Sequence, residues 1–122
     1  MSPRTSQVPG VKGAATDYAT HPVAGLQQVL AALADPVRLE IVRRLGAAGG
    51  GPVPCARLYD GVSKSTASHH FKTLREAGLT ERSVTAGQSC QTLRSEQVDL
   101  ALPGVLSAIL GAAGAGGASI SD

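Results

Sequence analysis

The segment SKSTASHHFKTLREAGL, residues 63–79, constrains this chain more than any other. Wound as a helix, it places Ala67, Phe71, Leu74 and Gly78 at i, i+4, i+7 and i+11, which is one face. Ser65, Ser68, His69, Lys72 and the Arg75/Glu76 pair fall on roughly the opposite side. That second face is short-chained, rich in donors and poor in acid, which suits a surface that meets phosphates and base edges. Ser63 stands where an N-cap belongs and Gly78 where a C-cap belongs. A helix so bounded must lay its apolar stripe on other elements.

Those elements are legible on both sides. After His21-Pro22, Val23, Leu26, Leu30 and Leu33 form a helical stripe. Asp35-Pro36 restarts the helix, with Asp as N-cap and Pro at the first helical position, and Val37, Ile41, Val42 and Leu45 supply its buried face. GAAGGGP ends it. VPCARLYD reads as a third helix of about two turns, and Gly61-Val62 as the turn that follows. Beyond Gly78 the helical period is lost. LTERSVTAGQSCQTLR carries β-branched and polar residues on either side of Ala86-Gly87, a hairpin pattern. SEQVDLALPGVLSAIL returns to helix, broken at Pro103, with Val105, Leu106, Ile109 and Leu110 as its apolar set. Residues 1–21 read as a flexible N-terminal arm and 111–122 as a disordered tail, both too polar or too glycine-rich to pack. That leaves 22–110 as one domain. The expected fold is mainly α with a small β-hairpin. A short helix, a tight turn, a longer helix with a polar outer face and then a hairpin make a winged helix-turn-helix, whose polar face would enter a major groove.

Composition narrows the classes. Aromatic residues make up 2% of the chain, with no Trp, so the stacking platforms of single-strand and RNA readers are nearly absent and no RNA is expected. Net charge is only +2, but it is polarised: Arg57 to Arg94 carries six basic residues against three acids, and Ser95 onward three acids and no base. Cys55 and Cys90 do not make a disulfide framework, which points to a reducing cytoplasm. No secretory h-region or membrane-length apolar run is visible, so no membrane partner is expected. Ser68, His69 and His70 are adjacent, but successive helical residues point about 100° apart, so no nucleophile and base align. Without a phosphate loop or paired carboxylates, an enzyme is not expected.

LADPVRLEIVRRL (33–45), SKSTASHHFKTLREAGL (63–79) and LRSEQVDLALPGVLSAIL (93–110), in this order and spacing, resemble the ArsR/SmtB family of winged helix-turn-helix repressors. Together with the hairpin they cover most of 23–110. The resemblance implies a homodimer paired through its first and last helices, here Leu26, Leu30 and Leu33 with Val105, Leu106, Ile109 and Leu110. The last four also read as an ordinary internal core. It implies a transcriptional regulator, a repressor that binds an inverted repeat of double-stranded DNA and is released or modulated by a metal ion or other small inducer. A protein-interaction module that keeps the shape without binding DNA is the alternative, and it would show apolar anchors on the recognition face.

The DNA contacts follow residue by residue. Lys64 and Ser65 begin the recognition helix, where free N–H groups favour phosphate. Thr66 and Ser68 reach phosphate or base edges, and Ser63 stands with them as a DNA contact that also reads as the cap. His69 faces the groove; His70, beside Phe71, either does so or packs on the core. Lys72 and Arg75 reach backbone, and Arg82, Gln88 and Arg94 in the hairpin suit minor-groove or phosphate contacts. Arg38, Arg43 and Arg44 read as a solvated strip on the second helix.

The family's two common metal sites are not intact. Cys55 stands alone where a cysteine pair is usual, and the last helix has Glu96 and Asp99 but no histidine follows His70. Asp17, His21, Cys55 and Cys90 remain as loose ligands that would suit zinc or nickel.

Overall fold

The computed structural model describes residues 20–121, the side chains of 115–121 excepted. An extended lead, residues 20–25, enters α1 (Leu26–Leu33). Asp35 then caps α2 (Pro36–Ala47): its carboxylate accepts the N–H groups of Val37 at 2.9 Å and Arg38 at 3.0 Å, and Pro36, which has no N–H to satisfy, opens the helix. Gly49 and Gly50, both at positive φ, turn the chain into β1 (Val53–Pro54). A single 3-10 turn, Cys55–Arg57, follows. The two-turn helix expected over VPCARLYD does not form, because Val53 and Pro54 pair with a strand and Pro54 occupies a sheet edge, where a missing N–H is tolerated.

The recognition helix α3 (Lys64–Glu76) starts from Ser63, whose hydroxyl accepts the Thr66 N–H at 3.1 Å. It ends in a Schellman motif: the Leu79 N–H reaches the Leu74 carbonyl at 3.1 Å and the Gly78 N–H that of Arg75 at 2.9 Å. Gly78 sits at φ 79°, and a Cβ there would lie 2.3 Å from the Pro22 carbonyl oxygen, so both its conformation and its lack of a side chain are required. Strands β2 (Thr80–Thr85) and β3 (Gln88–Leu93) form an antiparallel hairpin in register from Thr80↔Leu93 to Thr85↔Gln88. Its two-residue loop, Ala86-Gly87, has both residues at positive φ, as a type I′ turn needs. β3 lies between β1 and β2.

Helices α4 (Ser95–Ala101) and α5 (Val105–Ser121) flank the break at Pro103, where the Gly104 N–H donates to Asp99 Oδ1 at 3.1 Å. α5 runs into the 111–122 segment expected as a disordered tail. Its first two turns are anchored on α2, and the alanines between the glycines are strong helix formers that extend it. The arm expected over 1–21 lies outside the described residues as far as residue 19.

The core gathers Val29, Ile41, Val42, Leu45, Leu74 and Val98 with Phe71, Leu58 and Leu79. Each of α1 to α4 contributes, which makes the domain one unit. Two expected dimer residues, Leu33 and Leu106, are buried in this core, and Ile109 and Leu110 pack partly against it. The stripe is used internally because α5 folds back on α2, where Leu110 meets the surface at Gly46. Leu26 and Leu30 do remain open, at 47% and 45% exposure, and Val105 is half-buried. Among the described residues no helix is long and apolar enough to cross a membrane.

Candidate nucleic-acid interface

Because Ala67, Phe71 and Leu74 are drawn into the core, the other side of α3 is left to solvent. Lys64, Ser65, Thr66, Ser68, His69 and Lys72 are all exposed. They recur at three- and four-residue steps and make one continuous face. Ser63 and Thr66 are partly occupied at its start, since Ser63 Oγ donates to Thr66 Oγ1 at 3.0 Å while capping the helix. Lys72 Nζ lies 4.0 Å from Glu76 Oε2, a loose exposed pair that leaves the ammonium available to a phosphate.

Three residues expected to contact DNA are placed elsewhere. His70 is turned toward α2: its Nδ1 is 3.1 Å from Arg38 Nη1 and its Nε2 3.9 Å from Asp35 Oδ2. It therefore ties the recognition helix to the start of α2 instead of facing a groove. The Arg38 guanidinium also donates through Nε to the Ala32 carbonyl at 2.6 Å, so α1, α2 and α3 meet at one point. Asp35 is held below the ordinary carboxylate range, chiefly by the Arg38 N–H, with His70 adding to the effect. Arg94, expected at phosphate or minor groove, donates through Nη1 to the carbonyls of His21 and, at 2.9 Å, of Gly78. It clamps the extended lead against the end of α3. Arg75 is 8% exposed and lines the groove beside the helix.

That groove, about 680 Å³, lies between α3 and the sheet. Lys64, Lys72, Arg75 and Arg82 line it, with Gln88 and Ser89 of the hairpin on the far side. Tyr59 and Phe71 make an edge-to-face pair on its wall, ring centroids 6.0 Å apart. Gln88 is exposed at the end of the hairpin, next to the loop. The cations of α3 and the hairpin are thus collected around one channel. The basic strip on α2 is matched internally. Glu40 binds Arg43 and Arg44 at 2.7 Å each, and Arg44 also binds Asp60 at 2.7 Å. Arg43 first, then Arg44, lowers the Glu40 carboxyl to about 2.

The metal ligands weighed in the sequence do not assemble. Among the described residues no three of His, Cys, Asp and Glu gather closely enough to hold an ion. Cys55 Sγ is 3.4 Å from Ser89 Oγ, whereas Cys90 is buried on the other face of β3 with its thiol toward the Gln88 carbonyl. His21 contributes its carbonyl to Arg94, and Asp17 lies outside the described residues. The cysteines diverge because neighbours on a strand alternate faces and Cys55 meets the side chain of Ser89, the residue before Cys90.

Sequence reasoning did not find the part played by Gln91. It is buried at the floor of the groove, with Nε2 3.9 Å from Cys55 Sγ and Oε1 without a hydrogen-bond donor. The signal was a polar pair two apart on a strand, Ser89 and Gln91, which must share a face. Which face that is depends on β1 and α3.

The family model of a helix-turn-helix domain matches residues 33–83, from the end of α1 into β2. An uncharacterized HTH-type transcriptional regulator of Bacillus subtilis (strain 168), YceK, is 40% identical over 81 residues, which is 65% of this chain and 80% of that protein.

Proposed function

This chain belongs to the helix-turn-helix transcriptional regulators, and on that premise we propose that it is a repressor that grips an inverted repeat of duplex DNA as a homodimer. The observation that carries this reading is the exposed, donor-rich face of α3 (Ser65, Ser68, His69 and Lys72) held by a buried stripe beside a hairpin that brings Arg82 and Gln88 to the same channel. A helix of 13 residues fits the major groove end-on or lengthwise. Ser68 and His69 read base edges. Lys64, at the helix N-terminus, neutralises a phosphate, and Lys72 a second one. The hairpin, ending in Ala86-Gly87, lies along the flanking backbone, where Gln88 reaches phosphate or minor groove.

The open leucines Leu26 and Leu30 support pairing of two copies through α1, with Val105 at the edge of that contact. A two-fold dimer sets its half-sites about one DNA turn apart, roughly 34–36 Å. The resemblance to ArsR/SmtB repressors supports release by a small inducer. The protein acts by occupying DNA and not by catalysis.

Fluorescence anisotropy on the DNA just upstream of the protein's own gene, against a scrambled duplex at several salt concentrations, tests the reading. Tight binding to the native fragment alone, weakening as salt rises, is the expected result. Equal, weak binding to both duplexes would turn the search to protein partners. Analytical ultracentrifugation with Leu30→Glu tests the pairing: the wild type should sediment as a dimer and the variant as a monomer.

A further inference from the structure

We propose that Arg38 and His70 are positioning residues for DNA recognition: together they lock the angle between α3 and α1, and so fix the spacing at which two half-sites are read. One guanidinium spans three helices here. Arg38, in the first turn of α2, donates through Nε to the Ala32 carbonyl near the end of α1 at 2.6 Å, and through Nη1 to His70 Nδ1 on α3 at 3.1 Å. A guanidinium has donors only, so Nδ1 must be the acceptor and the ring carries its proton on Nε2. That nitrogen is turned to Asp35 Oδ2, 3.9 Å away, and the same carboxylate oxygen already holds the Val37 and Arg38 N–H groups. The imidazole is only 12% exposed, which shields the joint from competing water.

The recognition helix is tied to α1 a second time. Just past the end of α3, the Ala77 carbonyl accepts the Ala24 N–H of the lead into α1 at 2.9 Å, and Arg94 holds the carbonyls of His21 and Gly78 together. Polar joints therefore join α3 to both ends of α1. Between them Val29, Ala32 and Leu33 share the core with Ala67, Phe71 and Leu74. Burial of that kind is non-directional and lets one helix turn on another, whereas a hydrogen bond weakens steeply once misaligned. The angle is accordingly set by the joints. α3 runs through Gly78 and Leu79 straight into β2, so recognition helix and hairpin form one reading head. α1, with Leu26 and Leu30 open, is the arm that connects this head to the second copy. The inference rests on the DNA-binding and pairing readings above. One inserted base pair turns a half-site by about 34–36° around the DNA axis. A head locked to its arm cannot follow that turn, and a head on a loosened joint can.

The test measures anisotropy of the full chain on four duplexes. These are the inverted repeat upstream of its own gene, the same repeat with one base pair added or removed at its centre, and a single half-site. The added or removed pair should cost the wild type on the order of tenfold in affinity, as the loss of one good base contact would. Arg38→Lys keeps the charge, but one ammonium cannot reach both Ala32 and His70, and His70→Leu removes the acceptor. For both variants the spacing penalty should shrink several-fold, with half-site affinity unchanged. His70→Asn, whose side-chain oxygen stands near the place of Nδ1, should restore the wild-type penalty. A loss of affinity equal on all four duplexes would make the joint merely structural and overturn the proposal, as would variants that keep the full penalty. If the variants do not fold, nitrogen NMR of the wild-type imidazoles in mildly alkaline buffer decides: His70 should show a bare Nδ1 and a protonated Nε2, and the opposite tautomer refutes the joint. A wild type that binds no duplex refutes the DNA-binding reading and this proposal with it. One that binds the repeat but ignores its spacing refutes this proposal alone.

Discussion

Replacing Gly78 by alanine tests how the recognition helix is joined to the rest of the domain. The residue sits at φ 79°, where an alanine Cβ is disfavoured by about 1 kcal/mol. The new Cβ would also lie 2.3 Å from the Pro22 carbonyl oxygen and 2.5 Å from Val23 Cα. Both are backbone atoms, so no flexible side chain can yield, and relief requires the extended lead to move off α3. Overpacking of this kind costs about 1–3 kcal/mol. The lead is held there by the Ala24 N–H on the Ala77 carbonyl at 2.9 Å and by the Arg94 clamp, and displacement strains both. Gly78→Ala should therefore lose about 2–4 kcal/mol, a large part of the stability of a domain this size. Gly87→Ala is the matched control: its φ is 78°, but nothing lies within 4 Å of the added Cβ. It should lose only about 1 kcal/mol. Urea unfolding at constant slope measures both. Losses equal within about 0.5 kcal/mol would refute the collision and leave only the conformational term.

Lys64→Ala should weaken binding to every DNA sequence and lower the salt slope by about 1, as the loss of one phosphate contact requires; an unchanged slope would remove Lys64 from the interface. His69→Ala should instead relax preference at one or two base positions, by about 1–3 kcal/mol each, which a binding-site selection experiment reads directly. Glu40 predicts a pH dependence. Its folded value of about 2 lies below the ordinary 4.5, so its contribution is fully present above about pH 4.5 and is lost as pH falls toward 2. Because the carboxylate is more than a third exposed, solvent screening limits the effect to about 1 kcal/mol or less. Glu40→Gln should match the wild type in urea near pH 2 and fall below it at pH 6.

What could be read from the sequence alone was whatever acts over a few residues. The Asp35 cap with Pro36, the Ser63 cap, the Gly78 stop and the Ala86-Gly87 turn each work through hydrogen bonds or dihedral preferences within about five positions. All four stand where the local pattern put them. The donor-rich face of α3 was equally legible, because helical spacing alone sets it opposite Phe71 and Leu74. Partners distant in the chain were not. His70 meets Arg38 across 32 positions, and Arg94 meets His21 across 73. In both cases a polar side chain that suits DNA equally suits a carbonyl or a neighbouring side chain, and only packing decides between them. The same holds for Leu33 and Leu106, whose apolar stripes say that they are covered but not by what. It holds again for Val53 and Pro54, drawn into a strand by β3, and for Gln91, which pairing and the approach of α3 leave buried at the floor of a cationic groove. Local sequence sets where elements begin, end and turn; which of their faces meet is decided only when the whole chain competes to bury its apolar surface and satisfy its polar groups at once.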